Sequence, residues 1–327
     1  MLTRASLLIL IAFTALGASS GRAQESDSKP IVARHIIGFQ DLKRDIRGLL
    51  YIDHAELHFD AGRNRDTLFV SDIESVFIGT EVTQAGGKVG DIAQSAAMAA
   101  PYDSGAAVTL LLRQKVDVLT ITYRDSHNGL HAAIFALPKK RAASFRADLI
   151  TAGARLKDEA PATRAPAANP NHGSVNPGAS AGSAKPVAPI SSASFRKLPA
   201  LVEPLDTDVS IPPEFRYAIY EALIDRLSTA GFFSDVYRSG DRRAKSAADL
   251  VTVHTRVEKF RQGNQTEREL ITVAGATKVT VTVTLGRQNG AILQAYKATG
   301  DVRFFGENLG VALNLAKRIT STLSRSP

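Results

Sequence analysis

The chain has 327 residues, 40 Lys and Arg against 32 Asp and Glu, and no cysteine or tryptophan. The length after a short N-terminal leader suits two ordinary domains. The missing cysteines exclude a disulfide framework and a cysteine-borne lipid anchor. The formal net charge of +8 is spread out, with residues 195–327 carrying 19 basic against 14 acidic side chains. A nucleic-acid reader would need a basic stripe with aromatics and a reading motif, and none is visible.

The N-terminus opens with Arg4, an apolar run from Leu7 to Leu16, and a small-residue stretch ending at Gly21, Arg22 and Ala23. This is the order of a secretory signal, with an apolar core too short to span a bilayer. Cleavage is expected after Ala23, which sends the mature chain to the periplasm or outside the cell. No later stretch of membrane length follows, so no integral span is expected after cleavage.

Short alternating segments then predict strands at Leu49–His54, Glu56–Phe59 and Thr67–Val70, with the turn-rich run Asp60 to Asn64 between the last two. A longer hairpin follows. Leu119, Ile121 and Tyr123 share one strand face, Asn128-Gly129 suits a two-residue type I′ turn, and Leu130–Leu137 runs back. After Pro138, the spacing of Ala142, Phe145, Leu149, Ala152 and Leu156 predicts an amphipathic helix. The expected unit, residues 31–157, is a small β-barrel capped by its C-terminal helix.

Gly48-Leu49-Leu50, Leu57-His58-Phe59, Asp72-Ile73, Asp117 to Ile121 and Ala133 to Pro138 carry a resemblance to bacterial pleckstrin-homology-like (PH-like) domains. The resemblance covers about residues 44–156. It implies a seven-stranded split barrel plus helix, a scaffold that binds peptides, proteins or lipid headgroups. The Gly/Ala-rich segment Ala85–Ala100 departs from it and is expected to be a loop with a short helix.

Residues 158–194 hold 10 Ala, 6 Pro, 6 Ser and 3 Gly. So few large apolar side chains cannot offset the entropy of ordering, so this stretch is expected to be a disordered linker. As a flexible coil it would hold its ends on the order of 35 Å apart, and the flanking domains need not touch.

Residues 195–327 have a different rhythm. Pro212-Pro213 precede a predicted helix with Phe215, Ile219, Ala222, Leu223 and Leu227 on one face, stopped by Gly231. Predicted strands follow at Phe232–Tyr237, Leu250–Phe260 and Leu270–Leu285, the last alternating Val279, Val281, Val283 and Leu285 with Lys278, Thr280, Thr282 and Thr284. Asn289-Gly290 turns the chain into a strand from Ala291 to Phe304. A final helix gathers Leu309, Leu313, Ala316, Ile319 and Leu323. This is an α+β domain with a mainly antiparallel sheet and helices on one face. Asp249-Leu250-Val251, Phe260, Gly263-Asn264, Arg268, Gly275, the Val-Thr repeat and Asn289-Gly290 resemble uncharacterised bacterial envelope domains, often in lipoproteins. Their fold is similar to the core of the curli-secretion lipoprotein family. The lipid-attachment cysteine of those proteins is missing.

No catalytic, cofactor-binding or metal-binding residue can be named. Gly178-Ala179-Ser180-Ala181-Gly182 has the letters of a nucleophile elbow but lies in the Ala/Pro stretch, without the strand and helix that strain such a turn. His54 and His58 are four residues apart, roughly 13 Å along a strand, too far to share an ion. His127 and His131 flank a turn and, across a two-residue hairpin, point to opposite faces. Asp206 with Asp208 and Glu267 with Glu269 sit in charge-mixed surroundings, and Gly86 to Gly90 lacks the spacing of a phosphate loop. The function expected is a non-enzymatic binding or adaptor protein of the bacterial envelope, engaging an envelope protein or peptide, with no nucleic acid and no cofactor. The alternative is an assembly factor that self-associates through the C-terminal domain.

Overall fold

The computed structural model describes residues 28–39, 41–84, 113–157, 195, 197–263, 275–302 and 307–325. The expected signal, the segment Ala85–Ala100 and the stretch 158–194 lie outside the described residues, as do the elbow-like Ser180, Gly86 to Gly90 and Glu267 with Glu269.

The N-terminal unit is one seven-stranded antiparallel sheet built from β1 (Ile31–Ile37), β2 (Ile46–Asp53), β3 (Glu56–Ala61), β4 (Asn64–Phe69), β5 (Ile73–Gln84), β6 (Arg113–Arg124) and β7 (Leu130–Pro138). Its order is β4-β3-β2-β1-β7-β6-β5. The helix α1 (Arg141–Thr151) follows. The two terminal strands of this order do not pair, so the expected barrel is corrected to an open sheet that α1 covers on one face. Beneath α1, Phe145 and Leu149 are fully buried against Phe59, Phe135, Leu119 and Ile121 in an apolar cluster. Stripes read at periods of 2 and 3.6 therefore meet as alternation and helical spacing require.

The β6–β7 connection differs from the two-residue turn. Arg124 pairs with Leu130, leaving five residues in the loop. Asp125 organises them: its carboxylate accepts from the backbone N–H of His127 at 2.9 Å and of Gly129 at 2.7 Å. Asn128, not the glycine, takes the left-handed conformation, at φ 69°.

The C-terminal unit is a six-stranded sheet with β8 (Ala200–Val202), β9 (Asp206–Thr207), β10 (Val236–Arg238), β11 (Val251–Arg261), β12 (Thr277–Arg287) and β13 (Ile292–Val302). Its order is β10-β8-β11-β12-β13, with β9 on β11. β11, β12 and β13 are antiparallel, as the alternation predicts, and Val279, Val281 and Val283 are each 0% exposed. The short strands β8, β9 and β10 pair in parallel, which makes the sheet mixed rather than mainly antiparallel. Two helices, α2 (Pro213–Thr229) and α3 (Gly310–Arg325), cover the valine face.

The expectation that the two units need not touch is overturned. Ile37, Val118, Leu130, Ala132 and Ile134 of the first sheet belong to the same buried apolar cluster as Phe215, Ala218, Ile219 and Leu223 of α2 and the valines of β11 and β12. Helix α2 lies between the two sheets and is buried nearly all round. A helix apolar on one stripe needs one neighbour, whereas one apolar all round needs two. The first sheet is likewise covered twice, by its own α1 and by the α2 layer. Among the described residues no helix is long and apolar enough to cross a membrane.

Candidate functional site: the seam between the two sheets

The β1–β7 ladder passes a bulge between His35 and Ile37 and ends at Ile134, so among the described residues the first of β7 have no strand partner on that side. Backbone groups buried away from water must be satisfied. The C-terminal unit satisfies them. Leu130 N–H donates to Ser239 O at 2.9 Å, Arg238 donates to Leu130 O at 3.1 Å, and Ala132 N–H donates to Glu221 Oε1 at 2.8 Å. Gly38 makes the approach possible: at φ +122°, any β-carbon there would lie 1.8 Å from Ala132 O.

Glu221 on α2 and Arg238 at the end of β10 are 2% and 6% exposed. They form a two-pronged ion pair at 2.7 and 2.9 Å. Burial pulls the Arg238 guanidinium down, but Glu221 beside it overrides that and leaves its pKa above the ordinary value. Around this pair, Tyr220 OH accepts from Ser239 N–H at 3.0 Å, and burial holds its pKa above that of a free phenol. The tip of the β6–β7 hairpin docks beside it. Arg124 donates to Ser239 O at 2.8 Å, Asn128 Nδ2 to Gly240 O at 3.0 Å, and Arg242 N–H to His127 O at 2.9 Å.

A second joint lies at the other end of the seam. Arg34 of β1 grips both carboxylate oxygens of Glu307 at 2.6 and 2.7 Å and reaches Asp45 at 2.9 Å. Nearby, the buried Glu81 of β5 accepts from Leu309 N–H at 3.3 Å, just before α3. Burial, with Glu307 close by, pushes the Glu81 carboxyl up to about 8. Phe77 stacks on Tyr217 between the two joints at 5.7 Å.

Three cavities open along the seam. A cleft of about 750 Å³ between the β1–β2 connection and α2 is lined by His35, Lys43, Arg44, Glu221, Asp225 and Arg238. A second of about 380 Å³ holds Glu74, Arg124, Lys157, Arg216, Tyr217 and Tyr220. A third of about 200 Å³ is apolar inside, with Arg34, Asp45 and Glu307 at its rim. A separate groove of about 910 Å³ runs between β13 and α3.

The histidines and acidic pairs singled out from sequence are placed apart from one another. His54 sits exposed in the β2–β3 turn against Asp53, while His58 stacks on Tyr51 at 5.0 Å. His127 is exposed at the hairpin tip. His131 is 4% exposed, with Nε2 on Asp125 at 3.1 Å, and burial with nearby Arg238 lowers its pKa. Asp208 pairs with Arg256, and Asp206 lies at the rim near His254. Among the described residues, no three His, Asp or Glu side chains converge to hold a metal ion. The seam lines its clefts with charged side chains, aromatic faces and buried hydrogen-bonding groups.

No protein-family model matches the chain. No curated protein matches it either. Among solved structures it is similar to a single-substitution variant of the PelC dodecamer from Paraburkholderia phytofirmans, at 20% identity over 39% of this chain and 90% of that one, with a TM-score of 0.31. The PelC dodecamer in another crystal form gives 18% identity over 39% and 88%, with a TM-score of 0.30. A Helicobacter pylori homolog of neuraminyllactose-binding hemagglutinin gives 11% identity over 39% and 87%, with a TM-score of 0.23. Likeness at these scores assigns no function, and the reading below rests on the seam itself.

Proposed function

We propose that this chain is an exported, non-enzymatic binding protein of the bacterial envelope, and that its binding site is made jointly by both units at the seam. The observation that carries the reading is the 750 Å³ cleft between the β1–β2 connection and α2. Its floor is the rigid Glu221–Arg238 pair, and its mouth carries the exposed Lys43 and Arg44. A concave site with a fixed polar floor and exposed cations at its rim suits an envelope protein or peptide with an acidic segment. Seven consecutive strands followed by one helix support the PH-like reading of residues 31–157, a scaffold of binding modules. The apolar run before Ala23 supports export to the periplasm.

A photo-crosslinking residue at Ser228, which lines the cleft, tests this in intact cells against the same residue at Asn289 in the exposed β12–β13 turn. A discrete adduct from position 228 that disappears on Lys43→Glu with Arg44→Glu supports the reading. Adducts equal at both positions, or unaffected by the charge reversal, overturn it.

A second reading, assembly through the C-terminal unit, is favoured by β13. It is an eleven-residue end strand with no strand neighbour on its outer side among the described residues. Such edges are templates for pairing. Light scattering after size exclusion separates the two: a closed ring favours assembly, and a concentration-independent monomer favours the binding protein.

A further inference from the structure

Two buried carboxyl groups lie along one strand of the seam and serve neither the Glu221–Arg238 pair nor the large cleft. Glu81 and Gly79 share the face of β5 that meets the C-terminal unit. Glu81 is 7% exposed and holds the chain just before α3 through Leu309 N–H. Two residues back, Gly79 makes room for Glu214 in the first turn of α2; a β-carbon at 79 would lie 2.6 Å from Glu214 Oε1. Glu214 is 8% exposed.

Among the described residues neither carboxyl forms an ion pair of its own. The groups facing Glu81 are Arg34 from β1, Glu307 before α3 and the backbone N–H groups of Asn308 and Leu309, with Asp45 of the β1–β2 connection paired to Arg34 beside them. Arg34 is already claimed by Glu307 and Asp45, so a charge on Glu81 would face a carboxylate whose counter-ion is already engaged. On the neighbouring strand β6 its partner is the apolar Val116, and Asp117 beside that residue is turned away, accepting from Ala142 N–H at the start of α1. Among the described residues Glu214 accepts from its own backbone N–H and lies against β5 at Gly79, and burial raises its pKa. A buried carboxylate without a partner is relieved either by taking up a proton or by reaching water. Here, reaching water means parting β5 from α2 and from the start of α3.

We propose that Glu81 and Glu214 form a pH-operated latch between the two units, closed while both carboxyls hold their protons and loosened when they ionise. The cavities along the seam would then open in alkaline conditions and tighten in acidic ones. His35 and His131 do not drive the same motion. Burial lowers both, so their titration belongs to the acid side and not to an alkaline opening. The inference stands independently of what the cleft binds.

The absence of cysteine gives a direct test. Introduced cysteines at the exposed Ile150 of α1 and Ile292 of β13 carry a donor and an acceptor on the full chain. Transfer efficiency is followed from pH 6 to 9 in the parent, in Glu81→Gln and in Glu214→Gln, with far-ultraviolet circular dichroism confirming that the sheets persist. The expected result is a reversible change centred near pH 8 in the parent, abolished or reduced at least twofold by Glu81→Gln and reduced by Glu214→Gln. A parent signal flat across this range overturns the latch, as does a pH profile left identical to the parent's in both variants. Should Glu81→Gln fail to fold, the parent profile and Glu214→Gln decide the matter.

Discussion

The two buried clusters of this protein are made in opposite ways. The one under α1 is private: Phe59, Phe135, Leu119, Ile121, Phe145 and Leu149 all come from residues 31–157. The one around α2 is shared. It draws Val118, Leu130, Ala132 and Ile134 from the first sheet to meet both helices and the valine face of the second. It also carries a buried ion pair and hydrogen bonds that complete the unfinished edge of β7. The difference teaches where function can reside. A private core makes a domain, whereas a shared core with polar joints creates clefts that neither domain has alone.

The largest expected effect breaks the shared core at its polar centre. Glu221→Ala leaves Arg238 charged and buried with no counter-ion, and breaking such a pair costs about 3–5 kcal/mol. The double change Glu221→Leu with Arg238→Met should recover most of that loss, because an apolar pair of similar volume needs no desolvated charge. Denaturant titration of the three chains checks both statements. In the private core, Phe135→Ala should cost a comparable 3–5 kcal/mol, as about that much is typical for a large-to-small change at a fully buried aromatic. Its effect should fall on the first sheet, so hydrogen exchange should rise in β7 and α1 before β12.

The pH dependence separates the two cores next. Glu81 has its folded value raised to about 8 from 4.5. Its stabilising contribution is therefore complete below pH 4.5, declines as pH rises toward 8 and is gone above it, a loss of up to about 5 kcal/mol. His35 and His131 have lowered values, so what they contribute is present above 6.5 and lost as pH falls below it. Stability should fall below about pH 6.5 through the histidines and fall toward pH 8 through Glu81, and Glu81→Gln should remove the alkaline decline only. Melting temperatures measured every half unit from pH 5 to 9 would show this.

The smallest effect lies on the outer face of the second sheet. Thr282 donates to Glu258 at 2.6 Å, so Thr282→Asp sets two carboxylates side by side and should cost about 1 kcal/mol. Thr282→Val should cost less, and thermal melts at low and high salt would distinguish repulsion from packing.

Much of this fold was legible in the sequence, since alternation places Val279, Val281 and Val283 inward and helical spacing places Phe145 and Leu149 beneath α1. The seam was not read, although two signals for it were present. Leu130 to Leu137 has no polar alternation, the mark of a strand covered on both faces. Helix α2 carries Tyr217, Tyr220 and Ile224 beyond its first apolar stripe, the mark of a helix between two neighbours. Taken one face at a time, each element looked satisfied by its own unit. The polar joints were beyond any local pattern, because Arg238 and Leu130 are 108 residues apart and only the closed chain brings them together. The five-residue hairpin escaped for a different reason: Asp125 folds the loop around its own carboxylate, overriding the two-residue preference of Asn-Gly.

Calorimetric unfolding of the full chain at about pH 6.5, where the histidine and Glu81 slopes meet, tests the shared core most directly. Two units joined through one buried cluster and the Glu221–Arg238 pair should melt in a single transition, and Glu221→Ala should split it into two. Two separate transitions in the parent chain, each unmoved by that substitution, would contradict the account and return the molecule to a pair of independent domains.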